Sequence, residues 1–480
     1  MAMKKISRKE KKKQKDIKIY GEKKDSPKIQ ELKHQSRNHS IKEGIFASAR
    51  LSFGDHYLSP FAIAINASNS MVALFGSIAG ILGPLSQMFG SRFIEKYSRK
   101  KIITKAVFFE SLIWIPFIII AVLFYKGILT SVLPLFVLLT FALYTILANL
   151  GAPAWFSWTG DIVDEKYRGR WFAKRNLLIG FVSVILAISA AFFLDYLKKN
   201  DFAIFGFITL FSLAFISRLI CWRIYRKQYE PKIKLEKGYY FSFWDFLFNL
   251  RKNNFGKFTI FKSILSFASA ISSPLVVIYL LRNLEFSYTI YMIIIFSGTI
   301  FSLTVLELWG KIADKYGNYR VLILTSIAIP TIPVLWILHP SPIYLILIPS
   351  LVGGISWAGF NLASGNFIYD NVSVQKRGLA VSYHNMLNGI GIALGAGLGA
   401  LLIKILTIDF IEPIILIFII GAIARMIAVF LWLPTLKEVR KTEKLNGTHG
   451  LKNLIFKEAK PTLIEEAREI MSIKKYFEAK

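Results

Sequence analysis

The sequence predicts an all-α membrane protein of twelve transmembrane helices in two six-helix bundles, and three observations carry that prediction. About twelve apolar runs long enough to cross a bilayer follow one another along the 480 residues, basic residues crowd alternate connections between them, and two groups of residues recur in the same order in each half. A bilayer core about 30 Å thick needs about 20 residues of helix at 1.5 Å rise. Lipid offers the backbone no hydrogen bonds, so each run must satisfy its own as a helix.

The elements follow in order. Residues 1–45 are rich in Lys and poor in aromatic and apolar residues, a composition that buries too little apolar surface to fold, and they are expected to form a basic, disordered cytoplasmic tail. This stretch is too long and too polar ahead of its first apolar run for a cleaved signal peptide, so that run is expected to act as a signal anchor. The first bundle, 46–225, holds runs at 46–65, 71–89, 102–125, 132–157, 177–197 and 202–224. A basic linker, 226–256, contains the aromatic stretch from Tyr239 to Phe248 beside cations, which suits a helix lying among lipid headgroups. The second bundle, 257–434, holds runs at 259–281, 288–309, 321–338, 343–368, 379–403 and 411–433. Residues 435–480 make a second cytoplasmic tail. There Thr462 and Glu465 form a capping box, and Leu463, Ile464, Ala467, Ile470, Met471 and Phe477 share one face of the amphipathic helix it would start.

A net charge of +30 would suggest nucleic acid if it covered a soluble surface, so its distribution decides its meaning. Lys and Arg crowd the first tail, 92–105, 166–175, 223–257, 311–320, 376–377 and the second tail. The connections near Asn66, Lys126, Lys198, Arg282, Pro340 and Asp409 hold only about five between them, which places them outside under the positive-inside rule. Both termini are then cytoplasmic in a multi-pass plasma-membrane protein. The excess charge serves topology and contact with an anionic leaflet, and no nucleic-acid partner is expected. Cys221 is the single cysteine, which excludes a disulfide within the chain and a Cys-based metal site. There is no zinc-ligand cluster, no phosphate-cradling loop and no nucleophile elbow. Neither an enzyme, a metal site nor a cofactor is expected.

Between two apolar runs of the second half stands a short charged hairpin with Gly310, Asp314, Lys315, Gly317 and Arg320; a degenerate copy in the first half has Ser91, Glu95, Lys96, Ser98 and Lys101. A second repeat places Asp161, Arg168, Gly169, Asn176 and Gly180 at a constant offset from Asp370, Arg377, Gly378, Asn385 and Gly389. The hairpin resembles the cytoplasmic loop between the second and third helices of each half of the major facilitator superfamily, with the pattern G-x-x-x-D-[RK]-x-G-x-[RK]-[RK]. The resemblance covers roughly residues 46–433 and implies two parallel repeats with a substrate site near the membrane midplane. It also implies a cytoplasmic gate, in which Asp314 reaches the start of the eleventh helix near Arg377 and Glu95 reaches the fifth near Arg168 and Arg170. The first copy lacks both glycines and the Asp, so its gate is the less complete.

Ionisable residues inside spans cost a few kcal/mol each and default to function. Asp55, followed by His56, falls about nine residues, or roughly 13 Å, into the first run; Glu110 lies at similar depth in the third. Either carboxylate is a candidate for carrying protons. The resemblance implies that the first, fourth, seventh and tenth helices line the cavity, which singles out Asn149 and Trp155, Ser266, Ser269 and Tyr279, and Trp357 and Asn361. Small polar residues also serve helix packing, as do Gly389, Gly391, Gly395, Gly397 and Gly399. Lys262, Arg218 and Arg425 either snorkel to the interface or face a cavity. The expectation is a monomeric secondary transporter of a small organic solute, neutral or amphiphilic, working by alternating access, with protons as a candidate coupling ion. A receptor or assembly scaffold that keeps the fold is the alternative class.

Overall fold

Ser26 and Pro27 start the first helix well ahead of the first apolar run. In a computed structural model, which describes residues 25–164, 167–231, 242–406, 411–440 and 442, Ser26 is extended and its hydroxyl accepts from the Ile29 amide, with Pro27 in the first turn. Proline is favoured there because its missing N–H has no intrahelical partner to lose. Helix α1 then runs Pro27–Arg50, passes through a π-helical turn at Leu51–Asp55 and continues as His56–Ala64. The tail expected over 1–45 therefore gives way to helix at Pro27. Its buried residues are polar: Lys33, Ser36, Arg37, Ser40 and Glu43 pack toward α5 (Arg168–Lys198) and α6 (Ala203–Lys227). A composition rule that counts apolar residues misses a helix whose buried side is hydrogen-bonded.

The first unit ends at Lys237 and the second begins at Gly238. The first is completed by α2 (Asn69–Lys96), α3 (Arg99–Tyr125, interrupted at Ile113) and α4 (Leu133–Asp161, interrupted at Gly151). Its core is aromatic. The Phe61 ring meets Phe211 edge-on at 5.0 Å, and Trp114 lies 5.7 Å from Phe211 and 5.6 Å from Phe117. Gly54 makes room for this, since a Cβ there would overlap the Trp114 indole. Pro60, inside α1, removes the amide that would bond the His56 carbonyl and loosens the helix just beyond its π turn.

The second unit opens with the short α7 (Phe243–Phe248), capped by reciprocal bonds between Ser242 and Asp245. The Ser242 hydroxyl and amide hold the Asp245 carboxyl below the usual carboxylate range. Residues 239–241 of the headgroup helix expected around Tyr239 to Phe248 lie outside the described residues, and the rest is split in role: Trp244 and Phe248 are exposed, whereas Phe246 is buried beside Phe255 and Tyr383. Then come α8 (Asn254–Asn283), α9 (Tyr288–Thr304 and Leu306–Tyr316, bent by 42°), α10 (Asn318–Leu338), α11 (Pro342–Asn371), α12 (Val374–Ile405) and α13 (Pro413–Trp432). The C-terminal amphipathic helix expected from Thr462 lies outside the described residues. Among those described, ten helices are long and apolar enough to cross a membrane and the bent α9 makes eleven. The remaining helix of the expected twelve is α1, whose polarity belongs to its buried side.

Helices gain little hydrophobic energy from one another in lipid, so close backbone approach does much of the holding. On α12, Gly391, Gly395 and Gly399 stand one turn apart against the carbonyls of Ser263, Phe267 and Ile271 of α8, and a Cβ at any of them would overlap that backbone. Gly395→Val is expected to cost about 1–3 kcal/mol by overpacking and to lower the unfolding temperature in detergent. Gly365→Ala, where nothing lies within 4 Å of the added Cβ, should leave it nearly unchanged; equal effects would show that the glycine face is not the contact that matters.

Candidate functional site

The π turn of α1 decides the charge arrangement of the first unit. It brings Arg50 and Asp55, five residues apart, to the same side, and Arg50 Nη1 bonds both Asp55 oxygens at 2.7 and 2.8 Å. The Tyr144 hydroxyl of α4 donates to Asp55 at 2.6 Å and also meets Arg50. Glu110 of α3 is 1% exposed and accepts from Arg218 of α6 at 2.5 Å, with Arg50 Nε 3.7 Å away on its other side. Two carboxylates and two guanidiniums on α1, α3 and α6 thus form one largely buried cluster, to which Tyr144 adds α4. Asp55 is its accessible member, with 25% of its side chain exposed. His56 starts the α-helical segment next to it.

A second cluster of the same kind centres on Glu43 of α1. Its carboxylate accepts from Arg175 and from the Tyr225 hydroxyl, each at 2.7 Å, and from the Trp155 indole at 3.3 Å. The Arg175 guanidinium lies over the Trp155 ring, 4.9 Å from its centroid. Trp155 therefore helps to hold a structural ion pair. Asn149 is engaged as well, donating to the Thr145 carbonyl and accepting from Gln87 of α2, both at 2.9 Å.

The repeated hairpins lead to a repeated contact. The residue after the Ser98 or Gly317 turn of each hairpin opens a helix and bonds an acid at the end of the fourth or tenth span: Arg99 reaches Asp161 at 2.5 Å, and Asn318 reaches Asp370 at 2.7 Å. Likewise Arg168 donates to the Gly160 carbonyl at 3.0 Å and Arg377 to the Tyr369 carbonyl at 3.3 Å, each spanning eight residues. The gate residues of the second unit are placed differently from the expected pairing. Asp314 is 81% exposed with Arg440 3.9 Å away, while Arg377 serves the Tyr369 and Val372 carbonyls and lies over the Tyr369 ring. Gly317 has φ +95°, a conformation that requires glycine, and a Cβ on it would strike Glu438, whose carboxylate accepts from the Tyr319 amide at 2.9 Å. Gly310 has open space around it, Lys315 lies 5.4 Å from the Tyr316 ring centroid, Arg320 follows on the first turn of α10, and Lys96 closes α2, exposed. The Glu95 side chain lies outside the described residues.

The second unit contains a cavity of about 660 Å³. Ser266 and Ser269 of α8, Thr299 and Ser302 of α9, Trp357 and Asn361 of α11 and Arg425 of α13 contribute to its wall. Of the residues expected there, Ser266, Ser269, Trp357 and Asn361 come together; Tyr279 stands one layer back, its ring 5.7 Å from that of the wall residue Phe418 and tilted by 53°. Ser266 donates to Asn388 at 2.6 Å. The residues that motif reading did not single out are Arg50, Glu43, Tyr144 and Arg175. Their available signal is that charge inside a span asks for a counter-charge within the same bundle.

Two units of membrane-length helices, one with a cavity of solute size, describe a multi-pass membrane protein. Residues 258–475 match the family model described as Major Facilitator Superfamily. That match falls within the second unit and stops short of half the chain, while the chain as a whole shares the fold of solved transporters. Crystal structures similar to it include that of the nucleoside transporter NupG, 18% identical over 85% of this chain and 100% of that one, with a TM-score of 0.61. A bacterial homologue of the iron transporter ferroportin in an inward-facing state is 15% identical over 83% and 98%, with a TM-score of 0.63. A bacterial homologue of the human lysosomal transporter Spinster is 12% identical over 87% and 100%, with a TM-score of 0.55. No curated protein matches the sequence.

Removing one member of a buried ion cluster strands the others, which typically costs about 3–5 kcal/mol. Glu110→Gln should therefore unfold at markedly lower temperature or denaturant in detergent, and Glu110→Gln with Arg218→Gln should recover much of the loss. A single variant as stable as the parent would show that the cluster does not hold the bundle.

Proposed function

We propose that the chain is a secondary transporter that moves a small solute across the plasma membrane by alternating access, with both termini cytoplasmic. The observation that carries this reading is the cavity of about 660 Å³, largely apolar with a few serines, an asparagine and an arginine on its wall, among helices of membrane length in a major facilitator fold; its volume suits a small organic molecule. A scaffold that merely kept the fold would have no use for such a space, and a cavity packed with side chains would favour it. No catalysed reaction belongs to this reading. The basic loops contact an anionic leaflet, and a monomer suffices for the cycle.

Asp55 is assigned the coupling proton. In its support, it is the accessible acid of a cluster whose other acid, Glu110, is 1% exposed. A proton on Asp55 would release Arg50 from one carboxylate and leave it to the other, a local change in charge that could bias the packing of α1 against α4. His56 and Glu110 serve as its neighbours in that role. The gate is assigned to Gly310, Asp314, Lys315, Gly317 and Arg320, with Glu95, Lys96, Arg168 and Arg377. Asp314 is available for a partner in another conformation, because an exposed pair at 3.9 Å is worth little.

Asp55→Asn keeps the side-chain shape and fixes its charge state. In proteoliposomes, accumulation against a gradient should fail while downhill exchange of the same solute survives, since exchange needs only loaded transitions. A variant that still concentrates solute under an imposed pH gradient removes Asp55 from coupling. Asp314→Asn should widen the distance distribution between spin labels placed on the cytoplasmic ends of the two units; an unchanged distribution in folded protein makes the hairpin a passive turn.

A further inference from the structure

The second unit buries a cation that has no counter-charge among the described residues. Arg425 is 5% exposed. Its Nη2 donates to the Ser269 carbonyl and the Ser272 hydroxyl, both at 3.1 Å, and its Nε has no partner. The Ser269 hydroxyl, on the same cavity wall, is also buried without a partner. The described residues lining that cavity include no Asp or Glu. Lys262 precedes Ser266 by one turn of α8, so a second partly buried cation extends the same stripe. The contrast with the first unit is direct, because there Arg50, Arg175 and Arg218 each reach a carboxylate.

A guanidinium without a counter-ion costs several kcal/mol in a membrane bundle. It offers a planar fork of donors suited to a carboxylate or phosphate. The volume of about 660 Å³ exceeds the needs of an inorganic ion, and Trp336 and Trp357 supply apolar wall. We propose that this cavity binds an organic anion, a carboxylate or phosphate ester whose charge sits on Arg425 and Ser269 and whose apolar body lies against the two tryptophans. The proposal rests on the reading of the cavity as the solute site and narrows it: the solute is anionic, in place of the neutral or amphiphilic one expected from the sequence. The aromatic wall still favours an apolar body.

The test uses the full chain in detergent with 1-naphthoate and 1-naphthyl phosphate set against their neutral counterparts 1-naphthamide and 1-naphthol at matched ionic strength. At least one anion should raise the unfolding temperature saturably while the neutral compounds do not, and which anion does so separates carboxylate from phosphate. Arg425→Gln should weaken that binding by at least about tenfold, and Arg425→Lys should keep part of it. If Arg425→Gln does not fold, Ser269→Val, which leaves the cation but removes the hydroxyl, should lower the affinity instead. No anion-dependent shift in the parent protein, equal shifts for anions and neutral compounds, or unchanged anion affinity in folded Arg425→Gln would overturn the proposal. Flux in proteoliposomes is read separately. Arg425-dependent anion binding without flux of any solute would overturn transport and leave the site standing, whereas flux of neutral solutes with no anion preference would do the reverse.

Discussion

Charge neutrality inside the bundle is the constraint on which the first unit depends. Charge is poorly solvated inside a helix bundle, so a buried guanidinium is favoured by a carboxylate within reach, and a carboxylate by hydrogen bonds to its remaining lone pairs. Arg50 meets Asp55 and Glu110, Arg218 meets Glu110, and Arg175 meets Glu43. These bonds tie α1 to α3, α5 and α6, with Tyr144 adding α4 and Tyr225 reinforcing α6. The aromatic core around Phe61, Phe211 and Trp114 packs beside this lattice, and Gly54 lets the Trp114 ring approach the π turn that creates it.

The repeat acts on contacts as well as on letters. Asp161 and Asp370 occupy matched positions, and each receives a hydrogen bond from the first residue of the helix that follows the hairpin of its unit. The donors differ: a fully buried arginine in the first unit, with Glu230 also near it at 3.5 Å, and an asparagine in the second. A charged pair in one half and a neutral-to-charged bond in the other perform the same closure of two spans. The hairpin in the second unit keeps its glycine turn because Gly317 needs a positive φ. In the first, Ser98 caps α3 through the Lys101 amide, an alternative way to start a helix that needs no glycine. The degenerate spelling of the first hairpin thus reflects a different helix start as much as a lost motif.

What is legible in the sequence follows from how local each feature is. Spans are legible because length and hydropathy are properties of a contiguous run, and the Gly391, Gly395 and Gly399 face of α12 is legible because small residues at helical spacing permit close approach. The start of α1 is not, since its buried side is made of Lys, Ser, Arg and Glu whose partners lie more than a hundred residues away, such as Ile162 for Arg37. The Arg50–Asp55 pair is hidden for a geometric reason. On an α-helix, at about 100° per residue, side chains five apart point about 140° away from each other, and only a π turn realigns them. Glu110 and Asp55 stand out singly as intramembrane acids, but that one arginine joins them depends on this irregular turn. Trp155 stands out as a cavity residue and proves to be part of the support for Glu43, because depth in a span does not say which way a side chain faces.

The two units handle buried charge in opposite ways, and the difference locates the part of the molecule left incomplete by its own chain. In the first unit Arg50, Arg99, Arg175 and Arg218 each have an acid, so adding a ligand charge beside them would break an existing balance. In the second, the partners of Arg425 among the described residues are a backbone carbonyl and a serine hydroxyl, both dipoles, which solvate a cation without neutralising it. A cation held by dipoles beside an open, serine-lined space retains most of its electrostatic attraction for an incoming anion. One held by a carboxylate has already spent that attraction within the fold. On the proposed reading, specificity for charge would reside in the unit that carries fewer acids in its spans, while the unit with the dense ion clusters supplies the accessible carboxylate of Asp55.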